Sequence, residues 1–460
     1  MSGSAEDGQA YKSAKKEAKA KAESVREAYV QLQKNQDMRQ LIQIGKSRDK
    51  ASKDLMAVKQ MKDETGIILH DHGKIIQRYA SCDVHNAFSF LLAMAADIDI
   101  AYGKKVGTNE PCFIIAEIGQ NHQGDIGIAK KLISCAKKSG ADCVKFQKSC
   151  LSEKFNAEAL NRPYENENSW GKTYGEHKRF LEFNQEQFRE LQRYAEEEVG
   201  IMFSASAMDM VSVDMLDSLN VPFIKIGSGD ANNFPLLRYA AFKKRPMFIS
   251  TGMTNMEIVK KIYHCVRPIF SKFCLLHCVS SYPTKPEEVN LRVITTFKQE
   301  FPDIHIGYSG HEVGIAISIA AVAMGSKVLE RHITLNKSWK GSDHKCSLTP
   351  EEFTEMVTNI RIVEQALGNP QKKIQPSELL CYNKLGKTLV AGQDLKLGSL
   401  LTQHDIKIKV AEPKGIKAED MEHVLGKKLI RDIKRDESIC LTDLTEIQSP
   451  SDLTVTQPES

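Results

Sequence analysis

The sequence IHIGYSGHE, an alanine-rich segment, KVLERHITL and then KGSDH, which together span residues 304–344, decides the fold. Both apolar runs in this stretch are short and end in polar residues, which is typical of buried strands. His311 follows the first predicted strand, His332 closes the second, and Asp343 lies in the turn beyond it. Imidazoles and a carboxylate at neighbouring strand ends predict a divalent-metal site with open coordination positions.

The same pattern, a short apolar run followed by an amphipathic helical segment, recurs between about residues 112 and 368. The runs are CFIIAEIG, DCVKFQ, IMFSAS, PFIKIG, PMFIST, CLLHCV, IHIGYS and KVLERHI. Eight such units predict an α/β fold of the TIM (β/α)8 barrel type, whose active site lies at the C-terminal ends of the strands. A doubly wound sheet is the alternative, but no GxGxxG motif follows the first run.

Polar residues inside these runs predict where an anion would bind. Lys145 and Gln147 share one face of their strand because side chains alternate, and Lys225 lies within another strand. Lysine is seldom buried without a partner, so two lysines directed into a barrel mouth predict an anionic ligand. Serines at four other strand ends offer donors that suit a phosphate or carboxylate: Ser206, Ser228, Ser250 and Ser309.

Composition narrows the class of protein. The formal charge of +4 is small for 460 residues and does not favour a nucleic-acid partner. The 11 cysteines include no CxxC pair, and several lie in apolar runs, as expected of reduced thiols. The N-terminus has no apolar segment typical of a signal peptide, and the longest apolar run is too short to cross a bilayer. We therefore expect a cytoplasmic protein without a membrane partner.

The regions on either side of the predicted barrel, 111–369, differ from it in composition. Residues 1–110 begin with a stretch rich in Lys, Ala, Glu and Gln and are predicted to be a helical, partly disordered extension. Every motif lies after Pro111, so we expect about the first 100 residues to be dispensable for chemistry. A linker is predicted over 370–380 and a small basic β-rich domain over 381–445. The last residues, 446–460, are predicted to be a disordered tail.

The motifs AEIGQNHQG, VKFQ, KIGSGD, STGM, GYSGHE, ERHITL and KGSDH, in that order, resemble the sialic acid synthase family over about residues 111–445. That family condenses phosphoenolpyruvate with an N-acetylmannosamine-type sugar. GYSGHE, KGSDH and AEPKG are similar to the animal members, which use N-acetylmannosamine 6-phosphate and make N-acetylneuraminate 9-phosphate. The resemblance implies a TIM barrel, a divalent metal (Mn²⁺ or Mg²⁺) and a C-terminal antifreeze-like (SAF) domain. It also implies a homodimer in which each C-terminal domain covers the partner's barrel.

The resemblance also implies roles for individual residues. His311 and His332 would bind the metal, which polarises the sugar aldehyde for attack by C3 of phosphoenolpyruvate. The residues implied to surround phosphoenolpyruvate are Lys145, Lys225, Ser206, Ser228, Ser250, Ser280 and Ser309. Those implied to face the sugar are Glu117, Gln147, Tyr282 and Asp343. Water then adds to C2 before phosphate leaves, and both Glu117 and Asp230 are candidates to take its proton.

The sequence departs from the family at a few of these positions. Bacterial members have Thr, Asn and Glu where this chain has Ser206, Ser280 and Asp230. An Arg that the family's C-terminal domain supplies to the sugar is missing, and Lys409 or Lys414 would have to replace it. Lysine cannot reproduce the bidentate contact of arginine, so this substitution changes the site.

A long connection after the second barrel strand, 150–180, has basic residues near both ends, including Lys154 and Lys178. Connections of this length usually carry function, and the basic residues of this one favour recognition of a sugar phosphate; the alternative is a solvated charged loop. The alternatives for the whole protein are a synthase for the unphosphorylated sugar, a metal-dependent TIM-barrel hydrolase, and a non-catalytic sugar-binding or ice-binding protein.

Overall fold

The structure is a computed structural model that describes residues 95–445, and its chain divides into two compact units after Gly368. The predictions made for residues 1–94 and 446–460 lie outside the described residues. Within 95–445, no helix is both long and apolar enough to span a membrane.

The first described elements are two short antiparallel strands, β1 (Ile98–Ala101) and β2 (Lys104–Val106). Ile98 and Val106 are buried against apolar residues of the barrel interior. The end of the predicted N-terminal extension is thus a hairpin, which corrects the prediction of a helical segment through residue 110. The physical reason is the two-residue alternation in DIDIA, which gives one face that the apolar interior can bury.

Eight parallel strands follow and close into a barrel, in which the last strand is hydrogen-bonded to both the first and the seventh. They are β3 (Phe113–Gly119), β4 (Cys143–Lys148), β5 (Met202–Ala207), β6 (Ile224–Ile226), β7 (Met247–Ser250), β8 (Phe273–Cys278), β9 (His305–Gly310) and β10 (Val328–His332). Each overlaps one of the eight apolar runs of the sequence. The predicted TIM barrel is therefore confirmed.

The helices of this unit follow the barrel strands, and most begin at a side-chain cap such as Asp125, whose Oδ1 accepts from Ile128 N at 2.8 Å. They are α1 (Ile126–Lys138), α2 (Leu151–Lys154), α3 (Ala157–Asn161), α4 (Tyr174–Leu181), α5 (Gln185–Arg193, continued by a π-helical turn at Tyr194–Val199), α6 (Met210–Ser218), α7 (Phe234–Phe242), α8 (Met256–Val266), α9 (Pro286–Val289), α10 (Arg292–Glu300), α11 (Ala316–Ala323) and α12 (Pro350–Leu367). Outward-facing strand residues pack against these helices and form the larger core.

The inward-facing residues form two layers. The layer near the N-terminal ends of the strands is apolar and is built around three phenylalanines, with the Phe223 and Phe248 ring centroids 4.5 Å apart and Phe113 6.0 Å from Phe223. We call it the lower layer. Two residues further along the same strands the inward side chains are polar, as at Lys225 and Ser250. This upper layer holds the candidate site.

The second unit is small and has its own core. It contains helix α13 (Leu379–Leu385) and the antiparallel strands β11 (Thr388–Ala391) and β12 (Ile406–Lys409). Its buried residues include Leu389, Leu401, Val424 and Ile439. The unit matches the small β-rich domain predicted after the barrel.

Candidate active site

Four charged side chains meet in the upper layer and are almost fully buried: Glu117, Lys145, Lys225 and Glu330. Lys145 forms an ion pair with Glu117, and its Nζ also lies 3.7 Å from Glu330 Oε1. Lys225 Nζ lies 3.7 Å from the same Glu330 oxygen. Two ammoniums thus share one carboxylate in a place that largely excludes water, where electrostatic interactions are strong.

The surroundings shift the proton affinities of this cluster in different directions. Burial raises the pKa of Glu117 to about 7, although Lys145 opposes the shift. Burial would also raise the pKa of Glu330, but Lys145 and Lys225 outweigh it and hold that pKa below its usual range. Burial lowers the pKa of Lys225 because Glu330 compensates its charge only in part. An anionic ligand would therefore stabilise the charged form of Lys225.

Hydroxyl groups on neighbouring strands fix both ammoniums. Lys145 Nζ donates to Ser206 Oγ at 2.8 Å, and Lys225 Nζ donates to Ser250 Oγ at 2.7 Å. Each lysine comes from one strand and its hydroxyl partner from the next, so the barrel register itself aligns them. The two ammoniums are therefore held in place before any ligand arrives.

A second set of hydroxyls lies at the ends of β6, β8 and β9. Ser309 Oγ donates to Glu330 Oε1 at 3.2 Å, and Ser228 Oγ accepts from Gly252 N at 3.0 Å. Ser280 Oγ is buried and lacks a hydrogen-bond partner among the described residues. Any side chain at Gly252 would collide with the hydroxyls of Ser228 and Ser280. A buried, unpaired hydroxyl beside close-packed backbone is suited to bind a ligand oxygen.

The two predicted metal ligands lie side by side, with the ring centroids of His311 and His332 5.5 Å apart. His311 Nδ1 lies 2.9 Å from the Val279 carbonyl oxygen, which leaves Nε2 available, and His332 Nδ1 is buried without a hydrogen-bond partner in residues 95–445. Burial lowers the pKa of His332 to about 3, so its ring is neutral at pH 7. Gly119 packs against the His332 ring: its φ is +56°, and a Cβ there would lie 3.1 Å from His332 Cε1, so the ring would have to shift.

The neutral His332 ring, with its unpaired nitrogen, and the adjacent His311 ring fit a shared divalent cation. In the part of the chain that the structure describes, however, no three His, Cys, Asp or Glu side chains are arranged to hold an ion by themselves. The carboxylate of Asp343 comes within 3.9 Å of His332 Nδ1. A cation bound by His311 and His332 would therefore take oxygen atoms of water or substrate in its other positions.

Two more of the predicted residues line this mouth. The Tyr282 ring centroid lies 4.2 Å from that of His311, and Gln147 Nε2 donates to Glu117 Oε1 at 3.2 Å. Tyr282 is 46% exposed, so it forms part of the rim rather than the buried cluster.

Two other predicted residues lie on other elements. Asp230 lies on the 3₁₀ turn after β6, where burial raises its pKa and the nearby Lys154 opposes the shift. Lys414 belongs to the second unit, where its Nζ donates to the Gly386 carbonyl at 2.6 Å.

Sequence reasoning missed Glu330, which lies at the centre of the charged cluster. The signal was present, because Glu330 is two residues before His332 on β10 and must share its face. Glu330 belongs to the ERHITL motif, but no role was predicted for it.

A buried ion pair behind the histidines was also missed. Arg331 donates to Glu312 Oε1 at 2.9 Å and to the Glu312 carbonyl at 2.6 Å. Glu312 follows His311 in the chain, and Arg331 precedes His332. The pair therefore joins the two segments that position the imidazoles.

The long connection after β4 forms an ordered wall beside the mouth. Trp170 stacks on Phe180 with ring centroids 4.6 Å apart, and Asn168 Oδ1 accepts from Gly341 N at 3.0 Å. Gly341 belongs to the KGSDH turn that contains Asp343, so this connection is hydrogen-bonded to the turn that follows β10 at the same end of the barrel.

A parallel eight-stranded barrel with lysines, carboxylates and paired imidazoles at its C-terminal strand ends defines a TIM-barrel enzyme. Two family models narrow the class of enzyme further. The model of the NeuB family matches residues 132–372, and the model of the SAF domain matches residues 386–445. The chain belongs to the NeuB family, which confirms the resemblance to sialic acid synthases seen in its motifs.

Individual relatives agree with this placement. The N-acetylneuraminate-9-phosphate synthase of Homo sapiens is 57% identical over 346 residues, which are 75% of this chain and 96% of the human protein. The protein of the same name in Drosophila melanogaster is 48% identical over 365 residues, or 74% of this chain and 97% of its own. A crystal structure of N-acetylneuraminic acid (sialic acid) synthetase from Leptospira borgpetersenii has a TM-score of 0.55 and 31% identity, covering 64% of this chain and 98% of that one. The chain is accordingly an enzyme of this condensing family.

Proposed function

We propose that this enzyme condenses phosphoenolpyruvate with N-acetylmannosamine 6-phosphate to give N-acetylneuraminate 9-phosphate and phosphate, with mannose 6-phosphate as a second candidate acceptor. The observation that carries the proposal is the buried pair of Lys145 and Lys225 beside two adjacent imidazoles in one barrel mouth. The names of the human and fly relatives support the product.

Lys145 and Lys225 bind the negative charges of phosphoenolpyruvate. The hydroxyls of Ser206 and Ser250 already hold the two ammoniums, so little reorganisation is needed when the anion arrives. The unpaired Ser280 hydroxyl supplies a further donor. Because Lys225 has only a shared counter-charge, it contributes most to the binding of the anion.

His311 and His332 would hold Mn²⁺ or Mg²⁺, which when bound polarises the aldehyde of the open-chain sugar. The neutral His332 ring and its unpaired nitrogen support this role. Tyr282 and Asp343 orient the sugar at the rim, and Gln147 fixes the carboxylate of Glu117.

Glu117 takes the proton of the water that adds to C2, after which the C–O bond to phosphate breaks. Its pKa of about 7 allows it to accept and return a proton near neutral pH. Asp230 is the weaker candidate for this step because its electrostatic partner is Lys154 rather than the buried cluster.

The proposal also includes the assembly and the compartment: the enzyme is a homodimer in the cytosol. Helix α13 exposes several apolar side chains, with Leu380 83% and Leu385 61% exposed, which supports burial against another copy of the chain. The ten cysteines of the described residues are all free thiols, which supports a reducing compartment. Lys414 then stays a candidate for contact with the sugar of the partner's barrel.

The decisive test is incubation with phosphoenolpyruvate, Mn²⁺ or Mg²⁺ and either N-acetylmannosamine 6-phosphate or N-acetylmannosamine, measuring phosphate release and sialic acid formation. We expect kcat/KM for the phosphorylated sugar to be higher by a factor of about ten or more, as one charge-assisted contact would give. Phosphate release without a sialic acid product would instead indicate a hydrolase. Full turnover by His332→Ala, or by chelator-treated enzyme, would contradict the role of the metal.

The dimer has its own test. His332→Ala is expected to be inactive because its barrel lacks one of the two metal ligands. A chain ending at Asn369 is expected to be inactive because it lacks the covering domain. A mixed dimer would contain one intact barrel and one intact covering domain. Recovery of activity on mixing would support exchange of the domains, and demonstrated heterodimer without activity would contradict it.

A further inference from the structure

The mouth of the barrel contains a second pair of lysines, Lys154 and Lys178, which the mechanism above does not use. Lys154 ends α2 after β4, and its ammonium touches the sulfur of Met208, the residue directly after β5. Lys178 lies on α4, and its Nζ donates to Gln120 Oε1 at 2.9 Å, directly after β3. Both ammoniums are therefore attached to C-terminal strand ends.

The carboxylates near these two lysines do not compensate their charges fully. Asp230 raises the pKa of Lys154 and Asp343 raises that of Lys178, but burial outweighs both. Among residues 95–445 neither forms an ion pair, and a thioether and an amide oxygen are weak substitutes for a carboxylate. Glu182 is close to both, but its carboxylate is already engaged by Lys148 at 2.6 Å and by Ser149 Oγ at 2.9 Å. Partly buried ammoniums without an ion-pair partner are unfavourable, so an external anion would stabilise them.

The pKa shifts of the two lysines also favour an anion at this place. Burial lowers the pKa of both lysines, and Lys178 lowers the pKa of Lys154 further, so the two charges are within reach of one another. Arg162 adds a third positive group on the same side, since its guanidinium lies 4.1 Å from the ring centroid of Tyr174, which also faces Lys178 at 5.4 Å.

We infer that Lys154 and Lys178 form a subsite for the terminal phosphate monoester of the acceptor sugar, separate from the site of phosphoenolpyruvate at Lys145 and Lys225. The inference rests on the proposed function, because a sugar phosphate is the ligand whose other end reaches the imidazoles. Two ammoniums match the charge of a phosphate dianion, which a neutral sugar lacks. The subsite therefore decides whether the enzyme prefers the phosphorylated sugar.

The test compares kcat/KM for N-acetylmannosamine 6-phosphate and for N-acetylmannosamine in Lys154→Met, Lys178→Met and the double variant. Each single change is expected to lower kcat/KM for the phosphorylated sugar by about 10- to 100-fold, while the value for the free sugar stays within about threefold. The matched control is Lys172→Met, which removes the same charge from an exposed lysine of the same connection. Lys172→Met should leave both values unchanged.

The outcomes separate this inference from the proposed function. If the wild type prefers the phosphorylated sugar and the double variant keeps that preference, the subsite is wrong and the function stands. If the wild type shows no such preference or no turnover, the proposed function fails. Calorimetry with inorganic phosphate, in the presence of phosphoenolpyruvate, then decides: binding lost in the double variant but kept in Lys172→Met supports the anion site, and absence of binding to the wild type overturns it.

Discussion

The lower and upper layers of the barrel interior are built from the same strands and have opposite chemistry. On β3, Phe113 and Ile115 face the lower layer, and Glu117, two residues further on, faces the upper one. On β6 and its approach, Phe223 is followed in the same way by Lys225. A step of two residues thus changes a packed hydrocarbon interior into a cluster of four buried charges.

The comparison shows how such a cluster is tolerated. Burying an ion costs several kcal/mol even after relaxation, and removal of one partner leaves another charge uncompensated. Here the two lysines and two glutamates offset one another, and strand register fixes their hydroxyl partners. The lower layer consists of apolar side chains, so it has no buried charges to offset, and it stabilises the barrel by burial of apolar area. We therefore expect substitutions in the upper layer to reduce activity and substitutions in the lower layer to reduce stability.

The largest expected effect is on activity in the upper layer. Lys225→Met should lower kcat/KM by roughly 100- to 1,000-fold, because it removes a positioned donor to the anion. The variant should still fold, since Glu330 keeps Lys145 as a partner. Steady-state kinetics and circular dichroism measure both, and wild-type kinetics in a folded variant would move the anion site elsewhere.

The corresponding change in the lower layer should act on stability. Phe248→Ala removes a fully buried ring that packs against Phe223 and should lower the free energy of unfolding by about 3–5 kcal/mol. Below its lowered Tm, the variant should keep the KM for phosphoenolpyruvate. A large rise in that KM without loss of stability would contradict the separation of the layers.

Deletion of the β1–β2 hairpin tests how much the residues that pack against the lower layer contribute to stability. A chain starting at Asn109 loses Ile98 and Val106 and should be less stable than one starting at Ala95, by about 2–4 kcal/mol. The chain starting at Ala95 should match the full-length protein in turnover. This refines the expectation that the first 100 residues are dispensable, because β1 lies within them. Equal Tm values for both truncated chains would show that the hairpin adds no stability.

The smallest expected effect is on pH dependence. Because burial raises the pKa of Glu117 to about 7, its carboxylate form is lost as pH falls through that value. The kcat/KM should therefore drop roughly fivefold between pH 7 and pH 6. A conservative lower-layer change, Phe248→Leu, should keep this profile, and Glu117→Gln should abolish it. A profile in Glu117→Gln that still follows the wild type would assign the titration to another group.

Much of the site could be read from the sequence because barrel geometry converts strand position into spatial position. Lys145, Lys225, His311 and His332 were identifiable as polar residues at or near the ends of apolar runs, and the structure places them in one mouth. Contacts between distant segments were beyond such reasoning. Helix α3 and the segment 162–173 lie between Lys154 and Lys178 in the chain, so nothing in their spacing shows that their charges come near one another.

The sequence by itself determined the eight strand–helix units, the family and the identity of most polar residues in the mouth, because alternation along a strand is a local property. Only the tertiary structure decided how charges are shared. It placed Glu330 between two ammoniums and joined Glu312 to Arg331 behind the histidines. Within residues 95–445 it also left Lys154 and Lys178 without an ion-pair partner. Proton affinity and ion pairing depend on distance and burial, and both are set by residues far apart in the chain.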